Sequence, residues 1–542
     1  MLNYVWLSLL ILGIVSATYL DISDFTSNKY INNKPLNTTI YLDEYANNNH
    51  SKETATLKVN AETFSSFYKS KTSSDIETEI TLSPKDKEGN RQFFITVSDK
   101  SPKIWQEIAP LAGKENDLSG KILIKKKIDQ NSYQAQLYFE EISFVWLKKV
   151  TNEAIKIAQT AVEIALGLIG IMALWLGVMK VAEEAGLIRI IANILKPITK
   201  RLFPEVPSDH PAIGSMVMNI SANMLGLGNA ATPFGLKAME ELDKLNPNKG
   251  TATNSMVTFL AINTAGMTLI PATAIAVRAA SGSANPTVII GTSIFGAFCA
   301  VVVGLTAAKL FERFPIPKGE TLNWFKQNRR FFYFIFSVAA IVSLIAFSGI
   351  GKYLSPSFGS SFADIFKSIV QVISILAIPL LIFVFIGYGA IKKVKVYEQF
   401  VEGAKEGFGI AIKIIPYLVA MLVAIGIFRA GGAMEWLKTI MKPITDFIGM
   451  PAEALPMALM RPLSGSGSLG IMTDIISVHG PDSFIGILVS TFFGSTETTF
   501  YVLAVYFGAV NIKRTRHAVP AGLLADIAGI LGALFIVKLL FG

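Results

Sequence analysis

Cysteine is almost missing from this chain: its 542 residues hold one, Cys299, inside an apolar run. An intrachain disulfide and a cysteine metal cluster are therefore excluded, and Cys299 reads most simply as a small packing residue. Histidine is equally scarce, with four copies scattered at no metal-site spacing. No P-loop occurs, so any energy coupling must come from an ion gradient or a partner. Gly465, Gly467 and Gly470 satisfy the GxGxxG pattern, but no strand precedes them and no βαβ unit follows, which removes a dinucleotide-binding reading. No nucleophile–base pair is recognisable, so neither enzymatic activity nor a cofactor is expected.

Charge is the last scarcity. Asp, Glu, Lys and Arg make up 16% of the chain, where a soluble protein carries about a quarter. Against this stand a hydrophobic content of 51% and a mean hydropathy of +0.47, which together specify a polytopic membrane protein. The net charge of +9 collects in short loops beside apolar runs, where it reports orientation, so no nucleic acid is expected as a partner. With roughly 20 apolar residues needed per crossing, nine spans are expected: 2–19, 157–185, 254–279, 287–310, 331–349, 368–389, 404–429, 482–508 and 517–541. Two stretches rich in Gly, Pro, Ser and Asn, 211–232 and 453–477, are expected as re-entrant hairpins, because broken backbone at membrane depth needs protein or a wet cavity around it.

Loop charge sets the direction. With the N-terminus cytoplasmic, loops 188–201, 311–330, 391–399 and 511–517 fall inside and all are basic, while the outside turn 280–286 carries no charge. The first span reads as a retained anchor, with a cleaved signal peptide as the alternative. Either way the residues after it emerge outside. Their polar–apolar alternation ("TATLKVNAETF", "RQFFITVSDK", "GKILIKKKI") predicts a small β-rich domain over 21–145.

The chain also repeats itself. "ANILKPITKRLFP" and "KTIMKPITDFIG" share Lys-Pro-Ile-Thr at 196–199 and 442–445, and each follows a long apolar span. Each then precedes a small-residue hairpin, a span interrupted by polar residues ("TFLAINTAGMT", "TFFGSTETTF") and a closing span. An odd number of crossings separates the two copies, so the second is expected to be inverted, as in many secondary transporters. A duplicated bundle that merely packs well is the alternative.

Candidate site residues concentrate in the second copy. Ser495, Thr496, Glu497, Thr498 and Thr499 interrupt an apolar span, and a carboxylate there costs about 2.5–3.5 kcal/mol, so Glu497 is expected to face a solute, an ion or a partner. Arg461 is the nearby cation, expected to pair with Glu497, Asp474 or an anionic substrate, and Asp526 is a third charge. Ser464 and Ser466 lie in the adjoining hairpin. The first copy offers neutral ligands: Asn219, Ser221, Asn223 and Asn229 in its hairpin, and Asn263 and Thr264 in its interrupted span. Their amides donate and accept, which suits a polar solute; helix capping is the alternative.

These motifs carry a family resemblance. "WLGVMKVAEEAGL", "NMLGLGNAATPFGLKAMEEL" and "GSANPT" resemble spore maturation protein A, while "VYEQFVEGAKEGFGIAIKIIPYLVAMLVAIGIFRAGGAM", "MALMRPLSGSGSLGIMTDI", "HGPDSF" and "GSTETTFYVLAVYFGAV" resemble spore maturation protein B. The resemblance covers 1–20 and 145–542 and implies a fusion of two nucleoside-recognition (Gate) proteins. With the reading of the residues above, the expected fold is an all-α polytopic membrane protein with two inverted Gate-type repeats and re-entrant hairpins, plus a β-rich extracytoplasmic insertion over 21–145 that departs from the family pattern. The expected domains are an anchor (1–20), the insertion (21–145), a first repeat (146–315), a linker with an extra span (316–366) and a second repeat (367–542), in a bacterial inner membrane. Two functions stay open: a permease for a small polar, nucleoside-like solute coupled to a proton or cation, and a scaffold for envelope or spore maturation. The expected partners are the lipid bilayer, the solute and its coupled ion, with a homo-oligomer and envelope partners through 21–145 beside them.

Overall fold

The fold is taken from a computed structural model, which describes the chain apart from residues 1, 43–51, 71–73, 86–90, 112–116, 130, 227, 313, 315–328, 330–371, 373–375 and 377–378, and the side chains of 2 and 228–230. Contacts divide it into two units. One contains most of the helices (Met1–Leu9, Ala154–Gly426, Glu435–Gly542), and the other contains Leu10–Glu153 with Ile427–Met434.

Among the described residues, five helices are long and apolar enough to cross a membrane: Asn3–Thr26, Val145–Glu184, Pro286–Phe311, Val396–Ala430 and Ala518–Phe541. They coincide with five of the spans expected from hydropathy. The expected span 331–349 lies outside the described residues, and of 368–389 only the short helix Pro379–Ile391 is described. The remaining two are each broken in the middle. Residues 254–279 form Asn254–Ala265 and Ala272–Ala280, and 482–508 form Phe484–Ser495 and Thr499–Ala509.

Local chemistry explains both breaks. Gly266 ends the first half-helix in the left-handed region (φ 55°), which costs glycine least, and Pro271 removes a donor just before Ala272. In the second, Thr496 and Thr498 are extended; β-branched side chains whose hydroxyls compete for backbone bonds favour that state.

The two halves of the helical unit follow one order. Val145–Glu184 and Val396–Ala430 each lead, past a glycine at φ 82° (Gly186, Gly432), into a 16-residue amphipathic helix containing a proline: Leu187–Leu202 with Pro197, Ala433–Ile448 with Pro443. The stretch expected as the first hairpin holds Pro211–Met224 and the start of Gly228–Lys244; the second holds Leu455–Met460 and Gly465–His479. The broken helix and the closing helix come next in both. The closing helices pack through small residues: a Cβ on Gly304 would stand 2.9 Å from that of Ala525, and one on Gly532 2.8 Å from Cys299 Sγ. Cys299 is thus a packing residue, as expected.

In the other unit, six antiparallel strands close into a barrel in sequence order, β1 (Leu36–Tyr41), β2 (Glu53–Val59), β3 (Ile76–Leu82), β4 (Arg91–Thr96), β5 (Asp117–Lys127) and β6 (Ser132–Phe139), with β6 pairing back onto β1. Helices follow β2 (Ala61–Tyr68), β4 (Lys103–Ile108) and β6 (Val145–Glu184). The barrel is therefore three successive strand–strand–helix units. Leu36 and Ile40, Ile76 and Ile80, and Leu118 and Ile122 are buried aliphatic pairs four residues apart in the leading strand of each. The third helix of this series continues as the 40-residue apolar helix. Its N-terminus is capped from outside the helix, where both oxygens of Asp21 accept from the backbone N–H groups of Trp146 and Leu147 at 2.9 and 3.0 Å. Nearby, burial and then the Asp24 carboxylate push the Tyr30 phenol up from its ordinary pKa.

A buried ion pair ties β2 to β4, Arg91 Nη1 to Glu53 Oε2 at 2.5 Å, with both side chains about 95% buried. Replacing one partner strands the other charge in an apolar interior. Arg91→Ala is expected to cost the barrel about 3–5 kcal/mol, read as lost hydrogen-exchange protection in β2 and β4; unchanged protection would refute it.

Candidate functional site

The two broken helices lie alongside each other in opposite directions, as three sets of contacts establish. At one end, the fully buried Arg278 pairs with Asp482 at 2.9 Å, and Asp482 accepts from Ser283 Oγ and the Ala284 N–H at 2.6 and 2.8 Å. At the other end, Gly250 O accepts from the N–H groups of Lys513 and Arg514 at 2.9 and 3.0 Å, and Arg516 Nη1 donates to Asn254 Oδ1 at 2.8 Å. Between these ends the breaks touch: the Glu497 N–H donates to Thr264 O at 2.9 Å. Gly266 permits this approach, since a Cβ there would stand 2.8 Å from Glu497 N and Cγ.

The break in the second helix exposes opposite partial charges on its two halves, negative at the C-terminal end of Phe484–Ser495 and positive at the start of Thr499–Ala509. Charged side chains complement both. Arg461, 4% exposed, lies 4.4 Å from the centre of the Phe493 ring and donates to Thr496 O and, at 3.5 Å, to Ser468 Oγ. The Glu497 carboxylate accepts from the Thr498 N–H at 3.2 Å and stands 3.8 Å from Arg461, with 49% of its side chain exposed. Of the partners expected for Arg461, Glu497 is thus beside it. Asp526, fully buried, accepts from Thr499 Oγ1.

Glu497 faces a cavity of about 260 Å³. Asn223, Arg461 and Thr496 line it from among the expected residues. The rest of the expected set divides by role. Asn223 Nδ2 donates to Asn263 Oδ1 at 3.0 Å, while Asn219 donates to Tyr506 Oη at 3.1 Å and to Ala231 O at 2.8 Å. Thr264 supplies the carbonyl under Glu497. Ser221 and Ser495 return their hydroxyls to carbonyls one turn back, Val217 O and Thr491 O. Ser464 caps Gly465–His479 through the Gly467 N–H and stands 3.4 Å from Ser466 Oγ. Asp474 is buried on that helix and does not line the cavity. The side chain of Asn229 lies outside the described residues.

Comparison with known proteins adds identity to this geometry. One family model, Gate, described as nucleoside recognition, matches twice, over residues 165–280 and 411–513. Spore maturation protein B of Bacillus subtilis (strain 168) is 55% identical over 174 residues, which are 32% of this chain and 98% of that protein. Spore maturation protein A of the same organism is 46% identical over 168 residues, 31% of this chain and 84% of that protein. The chain belongs to the spore maturation A and B family of Gate proteins. Its two relatives each account for about a third of it, as a fusion of the two requires. No solved structure matches.

Within this family member, sequence reasoning missed two carboxylates on the cavity wall, Glu183 and Glu406, and two separate aromatics, Phe493 against Arg461 and Tyr506 bonded to Asn219. Both glutamates fall inside the runs read as spans, so the cost applied to Glu497 could have flagged them. The aromatics carried no such signal. Gly266→Ala forces a Cβ against Glu497 at a positive φ. It should destabilise the protein by about 1–3 kcal/mol, measured by thermal unfolding in detergent; an unchanged melting temperature would count against the contact.

Proposed function

We propose that the protein is a permease for a small polar, nucleoside-like solute, coupled to a proton or cation through Glu497. The observation that carries this is the meeting of two antiparallel broken helices at a cavity lined by a half-exposed carboxylate and a buried guanidinium. Interrupted helices whose half-helix ends converge are how membrane transporters build solute and ion sites. On this reading, residues 146–315 and 367–542 are inverted repeats joined by 316–366, and 211–232 and 453–477 are re-entrant hairpins entering from opposite faces. The double Gate match and the antiparallel broken helices support that arrangement. Residues 1–20 are the anchor of a bacterial inner-membrane protein, and 21–145 emerge outside the cell membrane.

A second reading keeps the membrane fold and drops transport. The closed barrel over β1–β6 favours it, since a folded domain outside the membrane suits a scaffold for envelope or spore maturation. Homo-oligomers fit either reading. Neither reading assigns catalysis to the protein.

Flux in proteoliposomes separates the two. Wild-type protein should move at least one solute of a broad polar panel, and Glu497→Gln should abolish its dependence on the ion gradient; absence of flux for every solute would favour the scaffold. Membrane-impermeant labelling should reach Lys200 and Lys442 from opposite sides. Labelling of both from one side would remove the inverted repeat.

A further inference from the structure

The cavity wall is unbalanced in charge. Three carboxylates line it, Glu183, Glu406 and Glu497, against one guanidinium, Arg461. Lys180 stands 3.2 Å from Glu183 but also 3.4 Å from Glu184, so its one positive charge is shared between two carboxylates. Arg461 is the cation nearest Glu497, and its Nη atoms are already bonded to Thr496 O and Ser468 Oγ. Glu406 is exposed and in no ion pair among the described residues. One negative charge is therefore left without a protein counter-charge in a cavity that low-dielectric surroundings make sensitive to it.

A second, independent feature points to a ligand. Thr496 Oγ1 and Arg461 Nε, on buried residues, have no hydrogen-bond partner among the described residues, and both residues line this cavity. Buried polar atoms without partners are rare, and on a cavity wall a water or a bound solute is what can complete them. Here they offer one donor and one hydroxyl beside the Asn223 amide, which suits neutral polar groups of a solute.

We propose that the solute carries a protonated amine, held by Glu497 and Glu406, with its neutral polar portion against Asn223, Thr496 and Arg461. This rests on the permease reading above and names the class of solute. The amine would exchange for the proton or cation otherwise held at Glu497, so that solute and ion compete for one carboxylate. Phosphorylated solutes would be rejected by the surplus negative charge.

The test uses full-length protein in nanodiscs and paired probes: glucosamine against glucose, putrescine against butanediol, and uridine against uridine monophosphate. Binding is read by ligand-dependent thermal stabilisation. In at least one of the first two pairs the amine should bind about tenfold more tightly than its neutral partner, and raising the proton concentration should weaken it. Glu497→Gln and Glu406→Gln should each cut that preference, and the double variant should abolish it. The variants' own melting curves report whether they fold, and if they do not, the salt dependence of amine binding to the wild type replaces them. Amine and neutral members binding alike, or monophosphate binding more tightly than uridine, would overturn the proposal. Uridine binding with no amine binding would overturn it and leave the permease standing, whereas no binding by any probe would count against both.

Discussion

The backbone hydrogen bond from Glu497 to Thr264, made where two interrupted helices cross, is the contact on which the helical unit turns. It requires both helices to be open at the same level, because an intact helix has no free N–H or carbonyl to give there. It requires glycine at 266, because any side chain would occupy the space of Glu497. It also fixes what the break can be used for. Once the N–H of Glu497 is bonded across to the neighbouring helix, its carboxylate is turned toward the cavity and its neighbours Thr496 and Thr498 are held extended.

The rest of the site satisfies what this crossing leaves exposed. The carbonyl of Thr496, stranded at a helix end, takes a donor from Arg461, and the guanidinium is in turn covered by Phe493. A buried cation is tolerable where it is hydrogen-bonded and faces a carboxylate, and Glu497 supplies that carboxylate. Farther out, Arg278 and Asp482 bind the two loops at one end while Gly250 and Arg516 do so at the other. Clamped at both ends and bonded in the middle, the paired helices hold a fixed register, which is what a binding site built from backbone ends needs.

The barrel unit solves a different problem. A closed sheet has no free edge to pair with other chains, and repetition of one strand–strand–helix unit closes it with few distinct packing solutions. The third unit ends in the start of Val145–Glu184, with Asp21 satisfying the N–H groups there.

Most of the secondary structure was legible, because hydropathy and alternation are local properties. The long helices follow from apolar runs, the strands of 36–139 from period-two patterning, and the breaks at 266 and 496–498 from Gly, Pro and β-branched residues in otherwise apolar segments. That Glu497 would not sit in an ordinary apolar packing position was also legible, since the cost of a carboxylate in such a run is a matter of composition. The closure of the strands into a barrel was hidden, because the pairing of β6 with β1 joins residues about a hundred positions apart. What only the tertiary structure decided is pairing: that Arg461 sits by Glu497, that Asn263 reaches Asn223 while Ser221 and Ser495 turn back on their own helices, and that Glu183 and Glu406 share the wall with Glu497. Those outcomes depend on which helices lie side by side and at what register, and contacts between separate helices leave no trace in local sequence pattern.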